Sequence, residues 1–309
     1  MSLSENPAKP LALNPNYKIA IHNDIVRGMF LSEKEPFSAQ EIMLFLILCK
    51  QISDSDDCFH AYTVPTKKLA ELIGLNPNSH KIYDQVKIIC TSLFQRSIDV
   101  SVYDRLINPA LSESEDFSLS HVLEIANRKN GIVTLKLDKS LEPYLLHLDR
   151  NYTLLFYERI KALCPNGSAI RLYCYMLGKY NQTHGSKEKW LIDLSILREK
   201  LGFQNMYSDN NLFIEKIIIP ALTAINSLGT CAIFDFEIVR EGNKISGISY
   251  RAVFWEDERL NPIGLTSKET LLKNIREGKF KDYPDFYQIP FEDYLSAKNA
   301  QPQEETKNE

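Results

Sequence analysis

The sequence lacks the motifs that mark the commonest catalytic and metal-binding chemistries. Its six cysteines, at 49, 58, 90, 164, 174 and 231, form no C-x-x-C pair and show no zinc-like spacing, and a reducing cytoplasm is their natural setting. No G-x-x-x-x-G-K-[ST] loop is present to cradle nucleotide phosphates. The six histidines, at 22, 60, 80, 121, 147 and 184, contain no H-x-H pair; a nicking enzyme needs one to hold its metal beside a nucleophilic tyrosine. The expectation is therefore a protein that is not an enzyme and carries no cofactor and no metal. Long apolar runs are missing too. The longest, Ile42 to Cys49, falls far short of the about 20 residues that span a bilayer, and the opening MSLSENPAKP has no basic segment followed by an apolar one, so no secretory signal is expected.

An excess of positive charge is also lacking. The net charge is −4, whereas phosphate attraction usually leaves a basic footprint. Charge can be segregated, and residues 151–200 carry eight Lys/Arg against four Asp/Glu. That window is modest and fits a solvated helix face equally well.

What is present is a folded composition, 44% hydrophobic and 25% charged, over a length suited to two domains of roughly 100–200 residues. Residues 1–16, rich in Pro, Asn and Ser, read as a flexible arm. Ser38-Ala39-Gln40-Glu41 is a capping box in front of IMLFLILC, which predicts a buried central helix. A strand at Tyr62–Val64 leads to a second helix, Lys67–Ile73, stopped by Gly74. A third helix is predicted over Ser79–Gln95, with Ile82, Val86, Ile89 and Leu93 inward and Lys81, Asp84, Lys87 and Thr91 outward. Strands follow at Ser97–Tyr103, Ser118–Ala126 and Ile132–Leu137, the last two joined by Arg128-Lys129-Asn130-Gly131, where Asn-Gly is a strong hairpin signal. The acidic stretch Ser112–Asp116 reads as a loop.

The same order then recurs. A helix is predicted over Ser168–Tyr180, a strand over Lys189–Ile192, and a short helix over Leu194–Leu201 capped by Asp193 and stopped by Gly202. A longer helix follows over Ser208–Ser227, then a hairpin Cys231–Phe254 turning at Glu241-Gly242-Asn243. Leu69-x-Glu71-x-Ile73-Gly74-Leu75 returns as Leu197-x-Glu199-x-Leu201-Gly202-Phe203, an offset of 128 residues that also lays Ile42 on Ile170 and Phe45 on Tyr173. Such self-similarity marks a duplicated unit. Three helices and a hairpin make a winged helix, so the expected fold is α+β with two tandem winged-helix domains. The third helix of such a unit fits the roughly 12 Å wide major groove, although these units also serve as protein-interaction modules. In the second unit Ser208, Asp209, Asn210, Asn211 and Lys216 stand outward near the start of that helix. Asn can bond adenine N6 and N7 bidentately and Lys can meet phosphate or guanine, while helix capping explains Asn210 and Asn211 equally well. At the wings, Arg128 and Lys129 in the first hairpin, and Arg240, Asn243 and Lys244 in the second, suit phosphate contact.

Four stretches carry a further likeness: Tyr62–Pro65 with Leu69–Gly74; Leu93-Phe94-Gln95-Arg96-Ser97-Ile98; Ala169-Ile170-Arg171-Leu172-Tyr173; and Ile219-Pro220-Ala221-Leu222-Thr223-Ala224-Ile225-Asn226. In this order, over about 17–257, the chain resembles the iteron-binding plasmid replication initiators, the Rep proteins of theta-replicating plasmids. The resemblance implies a bacterial, cytoplasmic protein whose two winged helices grip one iteron of double-stranded DNA from successive grooves and help open an AT-rich segment. It implies a host initiator and the replicative helicase as partners, and a homodimer that represses its own gene in equilibrium with a monomer that initiates. On this reading 17–150 is a winged helix for dimerisation and DNA contact, 151–257 the main iteron-binding domain, and 258–309 a tail. In the tail a short helix is expected over Ser267–Glu277 and an aromatic strip over Tyr283–Tyr294, either a docking strip or a host-factor peptide, with disorder expected from Lys298. One departure stands out: the family's third helix in the second unit is typically rich in Arg and Lys, whereas SDNNLFIEKIII has only Lys216. A transcriptional regulator built from the same winged helices is the rival function.

Overall fold

The protein is described by a computed structural model covering residues 8–12, 18–28, 36–53, 55–99, 119–148, 152–182 and 189–254. Residues 100–118, with the acidic stretch, and the tail from 255 onward lie outside the described residues. The chain divides between Ile170 and Arg171 into two compact units.

The first unit opens with β1 (Lys9–Pro10), β2 (Lys18–His22) and α1 (Asn23–Gly28). Its centre is α2 (Ala39–Cys49), started by the capping box: the Ser38 hydroxyl accepts from Glu41 N at 3.2 Å and Glu41 Oε2 accepts from Ser38 N at 2.7 Å. Every residue of α2 except Gln40 is buried, because this helix is apolar all round and packs against α3, α4 and strands of the sheet. β3 (Tyr62–Pro65) leads into α3 (Thr66–Leu72), which ends where Gly74 takes φ +79. α4 (Ile82–Phe94) is shorter than predicted. Asn76 Oδ1 and Ser79 Oγ accept from the backbone two residues on, at Asn78 and Lys81, and these local turns hold 76–81 out of the helix.

β4 (Ser97–Asp99) pairs with β5 (Leu119–His121), and β6 (Leu123–Lys129) pairs with β7 (Ile132–Leu137). The predicted strand Ser118–Ala126 is thus two strands. Val122 stands between them, donating to Arg96 O at 3.2 Å and accepting from Asp138 N at 3.1 Å. Asn130 and Gly131 both take positive φ, +52 and +76, as the predicted Asn-Gly turn requires. The wing sheet has the order β1-β3-β7-β6. The flexible-arm expectation is corrected at residues 9–12: Lys9 N and Leu11 N donate to Ala61 O and Thr63 O at 2.8 and 2.9 Å, and Gln51 bonds both backbone groups of Ala12. The unpaired edge of β3 offers those backbone partners, which overrides composition. A 3₁₀ turn (Lys139–Leu141) and α5 (Glu142–Leu145) precede β8 (Tyr152–Phe156), which pairs antiparallel with β2, and α6 (Tyr157–Leu163) follows.

α7 (Gly167–Gln182) runs across the division of the chain. In the second unit, β9 (Trp190–Asp193) leads to α8 (Leu194–Leu201), capped by Asp193, whose carboxylate accepts from Ser195 N, and closed by Gly202 at φ +76. The third helix has three stretches, α9 (Asn210–Phe213), a π segment (Ile214–Ile218) and α10 (Ile219–Asn226). Pro220 accounts for the break: it lacks an N–H and crowds the carbonyl four residues back, and a π turn just ahead widens the helix there. β10 (Cys231–Glu241) and β11 (Lys244–Phe254) form the wing, with β9 on the other side of β11. Helices and leading strands keep the 128-residue offset, β3 on β9 and α4 on the third helix. The fold is the α+β tandem of two winged-helix units.

Two polar groups tie these cores. In the first unit Glu41, 2% exposed, receives Arg96 Nε at 3.0 Å and Ser92 Oγ at 2.6 Å. Burial alone would push its carboxyl up, but the bonds from Arg96, Ser92 and Ser38 outweigh burial and hold it below the usual carboxylate range. In the second, buried Asn226 donates to Ile233 O at 3.0 Å and accepts from Ile233 N at 2.8 Å, locking the end of α10 to β10.

Candidate nucleic-acid interface

On the first unit's third helix the 3.6-residue period turns Ile82, Val86, Cys90 and Leu93 inward and leaves Lys81, Asp84, Lys87 and Thr91 exposed. Lys81 and Lys87 make no ion pair with any described residue, so their charge is unspent. Across from them, at the end of β6, stand exposed Arg128 and Lys129. A groove of about 410 Å³ separates helix from wing, with Val86, Lys87, Thr91, Asn127 and Arg128 among its lining. The structure therefore brings Lys87, Thr91 and Arg128 to one groove, while Lys81, Asp84 and Lys129 lie outside it. Sequence reasoning missed Tyr83, whose ring lies 4.3 Å beneath the Arg128 guanidinium and ties wing to helix. It also missed Asn127 in the groove and Ile88 on the helix, 66% exposed. Ile88 breaks the apolar period, and that was its only signal.

The second unit differs at the same place. Asp209 caps α9, its carboxylate accepting from Asn211 N at 2.8 Å and from Asn211 Nδ2 at 3.3 Å. Ser208, Asn211 and Lys216 are exposed. Lys216 bonds Glu215 Oε1 at 2.7 Å, and this hydrogen bond raises its pKa and keeps it charged. Asn210 is half-buried, and both ends of its amide are engaged: Oδ1 accepts from Arg198 Nη2 at 2.9 Å and Nδ2 donates to Ile245 O at 3.0 Å. A bidentate bond from Asn210 to adenine would have to give up both. At the wing tip Gly242 takes φ +62, and Arg240, Asn243 and Lys244 are exposed. Arg240 and Lys244 have no ion-pair partner among the described residues. Arg198, which sequence reasoning also missed, joins the pieces, and its partners lie too far along the chain for any local pattern to show it.

Each unit thus presents a helix face and a wing tip bearing hydrogen-bond donors, with unneutralised cations on both in the first unit and on the wing tip in the second, suited to a polyanion with readable edges. Among the described residues no helix is long and apolar enough to cross a membrane.

Residues 18–177 match the family model described as Initiator Replication protein, WH1, and residues 193–251 that described as Initiator Rep protein, WH2. Among solved structures, the crystal structure of Pi initiator protein in complex with iteron DNA is similar in fold, with a TM-score of 0.58 at 20% identity, covering 79% of this chain and 100% of that one. No curated protein matches the sequence.

Proposed function

The chain belongs to the initiator replication protein family, and from that premise we propose that it starts replication of a plasmid by binding the iterons of its origin as duplex DNA. The observation that carries this reading is the repeated unit itself: two third helices and two wings, with exposed cations that no described carboxylate neutralises on the helix of the first unit (Lys81, Lys87) and on the wing of each (Lys129; Arg240, Lys244). Pi initiator protein, similar in fold, is known in complex with iteron DNA, which supports the same ligand here. Winged helices place the third helix in the major groove and the hairpin on flanking backbone. On that geometry Lys81, Asp84, Lys87 and Thr91, with Arg128 and Lys129, face the duplex from the first unit. Ser208, Asn211 and Lys216, with Arg240, Asn243 and Lys244, face it from the second. Asn211 is the better candidate there for reading an adenine, since Asn210 is engaged.

Residues 151–257 act as the main iteron-binding domain, and 17–150 adds DNA contact and the dimer contact. Bound monomers open the adjacent AT-rich segment and recruit the host initiator and replicative helicase in the cytoplasm of a bacterium, and the dimer represses the gene. The protein works by binding and deforming DNA, without catalysing a reaction. Footprinting of the purified protein on DNA flanking its own gene tests the proposal. Protection of an array of direct repeats, each about two helical turns or ~20 base pairs long, is expected. A single protected operator with no repeats would favour a transcriptional regulator, and no salt-dependent protection would end the DNA reading.

A further inference from the structure

The side chain that organises the second unit's helix start belongs to neither third helix nor wing. Arg198, on α8, reaches over the turn that follows: Nη1 donates to Met206 O at 2.7 Å, Nη2 donates to Asn210 Oδ1 at 2.9 Å, and the guanidinium lies 4.3 Å over the Phe213 ring. Asn210 passes the contact on, donating to Ile245 O at 3.0 Å, two residues past the wing turn. Beside it, Phe203 meets Tyr207 and Phe213 edge to face at centroid distances of 5.7 and 5.9 Å, and Tyr207 lies tilted against Phe213 at 6.2 Å. Tyr207 takes φ +56, a left-handed conformation that is unfavourable for a non-glycine residue. Such a conformation persists only where surrounding contacts hold it.

We propose that Arg198 is a positioning residue for DNA recognition, acting through Asn210 to hold the start of α9 and the wing hairpin in one fixed relation. The two parts that meet the duplex then arrive with set spacing and do not have to be ordered on binding. Only a planar fork does this, bonding a carbonyl and an amide at once while stacked on a ring; a lysine ammonium offers a point charge. Asn210 becomes the link between helix and wing, and the helix start leaves base reading to Asn211. The inference rests on the DNA-binding function proposed above.

The test uses the full-length protein with Arg198→Ala, Arg198→Lys and Asn210→Ala. Amide hydrogen exchange in free protein reports the link directly, and affinity for the footprinted site and a scrambled duplex, across salt, reports its consequence. All three variants should speed exchange about tenfold at both 208–213 and 239–247 and cut cognate-over-scrambled preference about tenfold, with an unchanged salt slope. Asn210→Ala leaves the guanidinium on its ring and so keeps the test valid if Arg198→Ala fails to fold. Exchange that rises at the helix but not at the wing would overturn the proposal. So would full rescue by Arg198→Lys, or a uniform loss of affinity with a slope reduced by about one, which would make Arg198 a direct phosphate contact. If the wild-type protein prefers no DNA site at all, the proposed function fails and takes the recognition role with it. Exchange then still decides whether the link exists.

Discussion

At the scale of single residues, those that carry the family likeness are mostly structural. Arg96 lies within Leu93–Ile98 and neutralises buried Glu41; Asn226 ends Ile219–Asn226 and brackets Ile233. Glu41→Ala breaks this buried pair and removes the acceptor of Ser92 as well, so it should cost about 3–5 kcal/mol in a urea unfolding measurement. The pH dependence has a definite sign. The folded pKa of Glu41 lies below its unfolded value, so its stabilising effect is full above the unfolded carboxylate value of about 4.3 and fades as pH falls through the lower folded value. Glu41→Ala should therefore show a flatter loss of stability on acidification than the parent, and equal acid profiles would remove Glu41 from that account. Asn226→Ala strands a buried N–H and C=O and should cost about 2 kcal/mol or more, with an unchanged urea m-value. Among surface groups, Asn211→Ala should relax preference at one adenine by about 1–3 kcal/mol; equal losses on cognate and scrambled duplexes would exclude direct readout.

At the scale of elements, local signals were legible and long-range ones were not. The capping box at Ser38, the Asn130-Gly131 turn and the Asp193 cap with its Gly202 stop all act within a few residues, and each forms as predicted. The arm at 9–12 and the split at Val122 depend on partners 39 to 54 residues away or on a neighbouring strand, which no local pattern contains. The two wings should respond differently to the same substitution. Gly131 is needed for its φ of +76 and faces open space, whereas a Cβ at Gly247 would sit 2.5 Å from Ile192 O. Gly131→Ala should cost about 1 kcal/mol. Gly247→Ala should cost more, because β11 must move off β9 to admit the methyl group; a thermal-melt ranking in the opposite order would refute the close-approach reading.

At the scale of the molecule, a chain of net charge −4 binds a polyanion only if its cations are placed and unpaired. Lys87 on the first unit's helix and Arg240 and Lys244 on the second unit's wing meet that condition. If both units touch one duplex, Lys87→Ala should lower the slope of log affinity against log salt by about one, and Arg240→Ala with Lys244→Ala by about two. The triple variant should lower it by about three, with cognate and scrambled sites affected alike. A slope untouched by the first-unit change would restrict binding to the second unit.

The sequence alone determined the order of elements, the duplication at 128 residues and the two-winged-helix architecture, since these follow from apolar period, caps and turns that act over a few residues. It also marked the outward cations, because the face opposite an apolar stripe is set by helix geometry. Only the tertiary structure decided which of those side chains are free to bind. Asn210 and Asn211 are adjacent and chemically identical, yet both ends of the first amide are taken, by Arg198 and Ile245, while the second is exposed and makes one long bond to Asp209; hydrogen-bond partners 12 and 35 residues away made that difference.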